Sequence, residues 1–577
     1  MAKRVLAILV AAAVVAAAGA VALRLRRAAE LDGPSQAIMA KQAGSDVMEH
    51  VYRGHVEGRS GEIYLVPRPH FYIVPGTLAD LRKLWTDEPV LINSHPNPWD
   101  YLTRVPIIMN GERWAEPGVT NYDVVDIADV PATYAELLDI ETEQQLDGEP
   151  LPGFDTSGPD PKVVFTVVID GGGWNVLQQH VSAHPFIDSL RAGGTTYMNA
   201  TIASAPSITG ALHATFGTGV YPNKHGLPGN QMRGPDGENT DAWRDAADPR
   251  YMEVPAVAEL WDEQQENRPV VATISYEGWH LGMIGHGAQR DGGDEDIAAL
   301  WEQEPGEWWI NENYYRLPRA IEETDLERLE SYEEELDPRD GLADGSWFGH
   351  ELEYLQEPIV RPGTPAFVRF TGDAVVDMLR DEGIGTDDVT DFVWIEMKMP
   401  DYAGHAWNMI NPEQGDVLRE TDRQLARFKD ELDRLVGAGD YLYAVSADHG
   451  QQPLPDLLGG WRINQKEMED DIADAFGDVL EKSTPVDLYV DRDAMETEGV
   501  GLDDIARFLG AYTIGDNIPD DAPGADRVPE EWLDERIFVG AFSTDYLLGL
   551  DPDAIEAFGD GDHPEGRLTI GSDGGGG

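Results

Sequence analysis

Residues 163–169 read VVFTVVI, and the run ends in Asp170-Gly171-Gly172-Gly173. A short, β-branched, unbroken apolar stretch bounded by glycine reads as a strand with no solvent face. Strands buried on both sides belong to parallel sheets with helices packed above and below. This one segment already points the chain toward the α/β class.

Other segments repeat the pattern. Residues 270–275, 392–396 and 441–446 read as further buried strands, and 184–192 and 416–435 as helices between them. Shorter β-like runs fall at 63–66, 90–92 and 105–109, with a helical piece at 131–139. The alternation predicts a mostly parallel central sheet with helices on both faces. In such sheets ligands collect at the carboxyl ends of the strands. Asp170, Asp401 and Asp448 each follow a predicted strand end, which puts three carboxylates on one rim.

The formal net charge of -65 comes from 107 acidic and 42 basic residues. A field of that sign repels nucleic acid and anionic lipid, so no nucleic-acid binding is expected. The charge is spread along the chain rather than blocked, as in a surface solvated for high salt, and a halophilic source is expected. With no cysteine, any metal must rest on Asp, Glu, His or hydroxyl ligands.

At the N-terminus an apolar run at 5–23 is followed by Arg24, Arg26 and Arg27. Its length suits a single-pass membrane anchor over residues 1–27, with a cleaved signal segment as the alternative. Residues 28–60 read as a stalk. Residues 229–365, rich in Trp, Glu and Asp, break the strand–helix rhythm and read as an inserted cap. Trp308, Trp309, Tyr314 and Tyr315 form either that cap's own small core or a cleft lining. The glycine tail at 571–577 is expected to be disordered.

Several side chains carry chemistry. Asp170 ends a buried strand beside close-approach glycines, or else caps the next helix. Thr209 opens a helical stretch, where a hydroxyl sits in a positive dipole field suited to phosphate; the same placement serves an ordinary N-cap. Asp401 and His405 are spaced i, i+4 and can share one helical face. Asp448 and His449 are adjacent, and one ion can take both only if the strand has ended. His213, His225, His280 and His286 lie near these motifs as structural histidines, with His280 and His286 as cleft candidates.

Together VIDGGGW around Asp170, PSITGALHATFGTGVYPNKHG around Thr209, DYAGH at Asp401–His405 and SADHGQ at Asp448–His449 resemble the alkaline phosphatase superfamily, and most of all its type I phosphodiesterase/nucleotide pyrophosphatase branch. The resemblance implies an alkaline-phosphatase-like α/β sandwich and two divalent metal ions, with zinc as first choice and manganese or iron as alternatives. One ion would take Asp170, Thr209, Asp448 and His449. The other would take Asp401, His405 and one further histidine. Asn230 falls where the family places an oxyanion donor.

In the family that further histidine lies C-terminal to the DHG element. His563 occupies that side of the chain, but without the expected context. The context is found near the N-terminus instead: GEIYLVPRPHFYIV, then INSHPNPWDYLTRVPIIMNG, VVDIADVPATYAELL and LDGEPL. This arrangement resembles a circular permutation, in which residues 61–155 complete a catalytic domain spanning 156–570 and His95 supplies the missing ligand.

What the resemblance implies is hydrolysis of a phosphodiester or pyrophosphate bond through a phospho-threonine intermediate, on a nucleotide or a lipid headgroup. A monoesterase of the same superfamily is the nearest alternative; Gly210-Ala211 after Thr209 offers no local arginine to grip a dianion. A non-catalytic, membrane-tethered binding protein is the other. The positive-inside rule would keep the body cytoplasmic, whereas the resemblance is to proteins that often act outside, and the outer side is the expectation.

Overall fold

The computed structural model describes residues 33–74, 94–243, 247–519, 522 and 525–568. The chain divides into two compact units, one of residues 50–59, 87–454 and 565–577, the other of residues 1–49, 60–86 and 455–564.

The larger unit is built on a ten-stranded sheet. Its strands are β1 Ile107–Asn110, β2 Val119–Asp126, β3 Val163–Ile169, β4 Thr195–Thr201, β5 Val271–Ile274, β6 Asp296–Glu302, β7 Glu307–Trp309, β8 Tyr315–Arg316, β9 Asp391–Met397 and β10 Tyr441–Ser446. They run in the order β7-β6-β5-β9-β3-β10-β1-β4-β2, with β8 pairing β6. Every pairing is parallel except β1 with both its neighbours and β7 with β6.

The sheet is mostly parallel because its strands have no polar face. Val163, Phe165, Val167 and Ile169 enter one core and Val164 and Val168 the other, as the two-residue period of a strand requires. Helices Pro365–Asp381 and Pro412–Leu432 supply the first core, and Asp129–Leu137, Thr209–Thr218 and Val257–Gln264 the second. Each fully buried Val or Ile contributes about 1.5–3 kcal/mol against its exposed state. The polar Thr166 is accommodated within β3 by a 2.8 Å hydrogen bond with the Tyr134 hydroxyl.

The smaller unit carries a four-stranded antiparallel sheet in the order Leu480–Ser483, Asp487–Val490, Ile63–Pro67, Phe538–Ser543. Tyr72–Val74 pairs in parallel with Arg462–Asn464. Helices Gln465–Phe476 and Leu502–Ala511 pack onto its core through Met468, Ile472, Ile505 and Leu509.

Several expectations are revised. The stalk at 28–60 is instead helical from Gln36–Ala43 and Ser45–Gly54, because Met39, Ala40, Val47 and Met48 give these turns a buried face. The cap at 229–365 contributes β5, β6, β7 and β8 to the central sheet, since residues 271–274 and 296–300 are buried strand like the rest. Trp308 stacks on Phe370 with ring centroids 5.4 Å apart, so it serves the core. Segment 61–155 is split: β1 and β2 join the large sheet, while Ile63–Pro67 joins the other unit's sheet beside Phe538–Ser543.

The membrane anchor is also corrected. Among the described residues no helix is long and apolar enough to cross a membrane. Residues 5–23, which carried that reading, lie outside the described residues, as do the β-like run at 90–92 and the tail at 571–577.

Candidate active site

The carboxyl ends of β3, β9 and β10 bring the chemistry-bearing residues together. Asp170 follows β3 directly and is fully buried. Gly171 then turns the chain at φ 66°, and a Cβ there would fall 2.2 Å from Gln451 Nε2, so only glycine lets the backbone pass. Asp401 and His405 occupy one face of helix Met399–Trp407. Asp448 and His449 follow β10 after the strand has ended at Ser446, and His449 Nε2 turns back to within 3.2 Å of Asp448 Oδ2.

Two groups of donors form. His95 Nε2 lies 3.2 Å from Asp401 Oδ1, and His405 Nε2 lies 3.3 Å from Asp401 Oδ2. The ligand atoms of these three residues all fall within 4.8 Å of one another, as do those of Asp170, Asp401 and His449. The His95 and His449 rings stack with centroids 3.5 Å apart. His95 Nδ1 is held by the Ser207 carbonyl at 2.7 Å and His449 Nδ1 by the Gly450 carbonyl at 2.9 Å. Tying Nδ1 to a carbonyl fixes the tautomer and presents Nε2 as the ligand atom. His563 belongs to the smaller unit.

Thr209 is the first residue of helix Thr209–Thr218, and its side chain makes no capping bond. The N-cap is Ile208, in extended conformation, so the hydroxyl has no structural duty at the helix start. Asn230 Oδ1 accepts a 2.8 Å hydrogen bond from Gly210 N–H, which fixes its amide beside the positive end of that helix.

Lys398 was not singled out by sequence reasoning. Its Nζ lies 2.9 Å from Asp170 Oδ2, 2.7 Å from Asp401 Oδ2 and 3.2 Å from Thr209 Oγ1. The available signal was its position, three residues before Asp401 at the end of a buried strand, where a solvated lysine has no place. His280 Nε2 approaches Asp170 Oδ2 at 3.5 Å and Glu396 Oε1 at 3.7 Å. His213 is tied to the Thr209 carbonyl at 2.9 Å. His225 meets Thr215 Oγ1, and His286 meets Glu259 and the Met252 carbonyl.

Electrostatics follow from burial. Desolvation pushes Asp170 upward, but Lys398, His280 and His449 outweigh it and hold the carboxyl well below its usual range. Burial and the neighbouring Asp170 raise Asp448. Burial and the His449 ring lower His95, against the pull of Asp401, to about 4, so it is neutral and able to ligate at pH 7.

The donor set fits divalent cations. Asp170 Oδ1, Asp448 Oδ2 and His449 Nε2 are buried and make no hydrogen bond. Asp170, Asp401, Asp448 and Glu396 are each at most 1% exposed, and Lys398 alone does not balance them. Buried carboxylates at this density call for further positive charge. Mixed carboxylate and imidazole ligands suit zinc and its divalent neighbours.

The type I phosphodiesterase/nucleotide pyrophosphatase family model matches residues 164–532. Alkaline phosphatase PafA of Elizabethkingia meningoseptica is 23% identical over 399 residues, covering 61% of this chain and 73% of that protein. Alkaline phosphatase PhoV of Synechococcus elongatus is 25% identical over 341 residues, covering 52% and 60%. The crystal structure of wild-type PafA superposes with a TM-score of 0.50 at 18% identity, covering 61% of this chain and 76% of that one. That likeness shows the alkaline-phosphatase-like α/β fold.

Proposed function

This chain belongs to the type I phosphodiesterase/nucleotide pyrophosphatase family and is a phosphoester hydrolase of that superfamily, and we propose that it cleaves phosphodiester or pyrophosphate bonds using Thr209 as nucleophile. The observation that carries the reading is the convergence of Asp170, Asp401, His405, Asp448, His449 and His95 beside the Thr209 hydroxyl. Circular permutation is our account of how His95, which precedes the family-matched region, comes to stand there.

In this proposal Asp170, Asp448, His449 and Thr209 hold one divalent ion, and Asp401, His405 and His95 the other, with zinc as first choice. When bound, such ions lower the pKa of a coordinated hydroxyl and neutralise charge on phosphoryl oxygens. Thr209 Oγ1 attacks phosphorus in line, and the bond to the leaving oxygen breaks. The Thr209 N–H and the Asn230 amide NH2 meet the developing negative charge at the helix N-terminus. Burial and its carboxylate partners keep Lys398 protonated, with a pKa well above the ordinary lysine value, so it donates rather than accepts. Water then releases phosphate from the threonine.

Lys398 also favours a second reading. It sets a cation 3.2 Å from the nucleophile, the kind of charge a phosphate dianion requires, and the curated relatives are named alkaline phosphatases. Turnover of bis-p-nitrophenyl phosphate against p-nitrophenyl phosphate, after loading with divalent metal, separates the two. Faster diester cleavage is expected; faster monoester cleavage would replace the first reading with the second.

A further inference from the structure

Beside the nucleophile lies a cleft of about 320 Å³ lined by Asp241, Tyr276, Glu277, Trp279, Trp301 and Trp309. Its size is that of a small-ligand pocket. Its remaining walls are Gly278, Glu302 and Gln303, so among the described residues three carboxylates and four aromatic rings face it, and no Lys, Arg or His.

The cleft is tied to the reaction centre from two directions. Glu277 Oε1 accepts a 3.2 Å hydrogen bond from the hydroxyl of Tyr402, the neighbour of Asp401. The Glu277 carbonyl holds His280 Nδ1 at 2.8 Å, and His280 Nε2 faces Asp170. On the other side Asp241 lies directly across a two-stranded hairpin from Gln231, the residue after Asn230. Gln231 Nε2 donates to Asp241 Oδ1 at 3.1 Å.

The aromatic wall is held rigid. Trp301 meets Trp308 and Phe370 edge-on, with centroids 5.2 and 4.7 Å apart. Tyr276 receives Gln303 Nε2 at 3.1 Å and packs edge-on against Tyr402. Trp279 and Trp309 are half-buried, which leaves ring surface for a ligand.

Aromatic faces combined with carboxylates and no opposing cation select one chemistry. A quaternary ammonium group gains cation–π attraction from the rings and long-range attraction from the carboxylates, and needs no hydrogen-bond partner of its own. A nucleoside polyphosphate would stack its base but bring its extra phosphates toward three carboxylates. Resting on the phosphodiesterase reading above, we propose that the substrate is a phosphodiester bearing a choline-like quaternary ammonium headgroup, which this cleft holds while Thr209 attacks the adjacent phosphorus. In p-nitrophenyl phosphorylcholine the P–O bond to nitrophenolate would break, and water would supply the oxygen that remains on phosphocholine.

The test compares p-nitrophenyl phosphorylcholine with its uncharged isostere, 3,3-dimethylbutyl p-nitrophenyl phosphate, at fixed ionic strength. A preference of about tenfold or more in kcat/KM for the choline diester is expected, reduced toward unity by Trp279→Ala and by Asp241→Asn. Equal cleavage of the two diesters overturns the headgroup proposal and leaves the phosphodiesterase reading standing. Cleavage of p-nitrophenyl phosphate with neither diester turned over removes the phosphodiesterase reading. Binding is then decisive on its own: Thr209→Ala protein titrated with choline chloride should show a saturable tryptophan fluorescence change absent with 3,3-dimethylbutanol, and no difference between them overturns the cleft assignment. Soluble glycerophosphocholine and phosphatidylcholine vesicles, assayed in parallel, distinguish a free from a membrane-borne headgroup.

Discussion

Lys398 Nζ reaches both the Thr209 hydroxyl, at 3.2 Å, and Asp401 Oδ2, at 2.7 Å. A single buried ammonium thus links the proposed nucleophile to a carboxylate presented by a different strand end. Lys398→Met removes that charge while keeping the side-chain volume. A loss of ~10²-fold in kcat is expected from deleting one preorganised donor. Steady-state kinetics on a chromogenic diester, beside circular dichroism to verify folding, would check it; unchanged kcat would remove Lys398 from the reaction.

Thr209→Ala should abolish turnover by ~10³-fold or more, because no neighbouring hydroxyl replaces the nucleophile. Its effect on stability should be small, since the Thr209 side chain caps nothing. Acid quenching with a phosphorus-labelled substrate should trap phosphoprotein in the parent chain and none in the variant. Label retained by the variant would place the covalent step elsewhere.

His95→Ala should remove one of two bound divalent ions, measured by elemental analysis of the purified protein, and depress activity. His563→Ala should leave metal content unchanged. Equal metal content in the parent and in His95→Ala would return the sixth ligand to another residue. Chelation should abolish activity in the parent chain, with recovery on adding back divalent cation.

Asp487 gives a stability test away from the site. Burial drives its carboxyl up to about 7, and the charge of Glu62 adds to the effect. Here the folded pKa stands above the unfolded one, so the folded state binds the extra proton, and stability falls as pH rises from about 4 to about 7. Asp487→Asn is permanently neutral. It should match the parent near pH 4 and exceed it at pH 8, by an amount on the order of 1–4 kcal/mol. Denaturant unfolding at the two pH values reads this directly, and a pH-independent difference would count against it.

The central sheet was legible because Val163–Ile169 and Tyr441–Ser446 are unbroken apolar runs, a signal that survives without knowledge of their partners. Asp170, Asp401 and Asp448 were legible for the same reason: each stands just beyond such a run. The sheet of the smaller unit was not. Ile63–Pro67 finds its partners in Asp487–Val490 and Phe538–Ser543, and pairing over that sequence distance leaves no local trace. Lys398 escaped notice because a lone lysine ordinarily ends in water. The packed helices at Gln36–Ala43 and Ser45–Gly54 were hidden by polar residues on their outer faces, which made the segment look like a linker.

The antiparallel β1 sits between β10 and β4 in the middle of the large sheet. During synthesis Ile107–Asn110 leaves the ribosome long before Tyr441–Ser446 does, so the two halves of the sheet cannot join until the chain is nearly finished. A fragment that begins after β1 would expose two naked strand edges to each other and to neighbouring chains. Such a truncation should aggregate rather than yield a smaller enzyme, even though it would retain nearly every chemistry-bearing side chain.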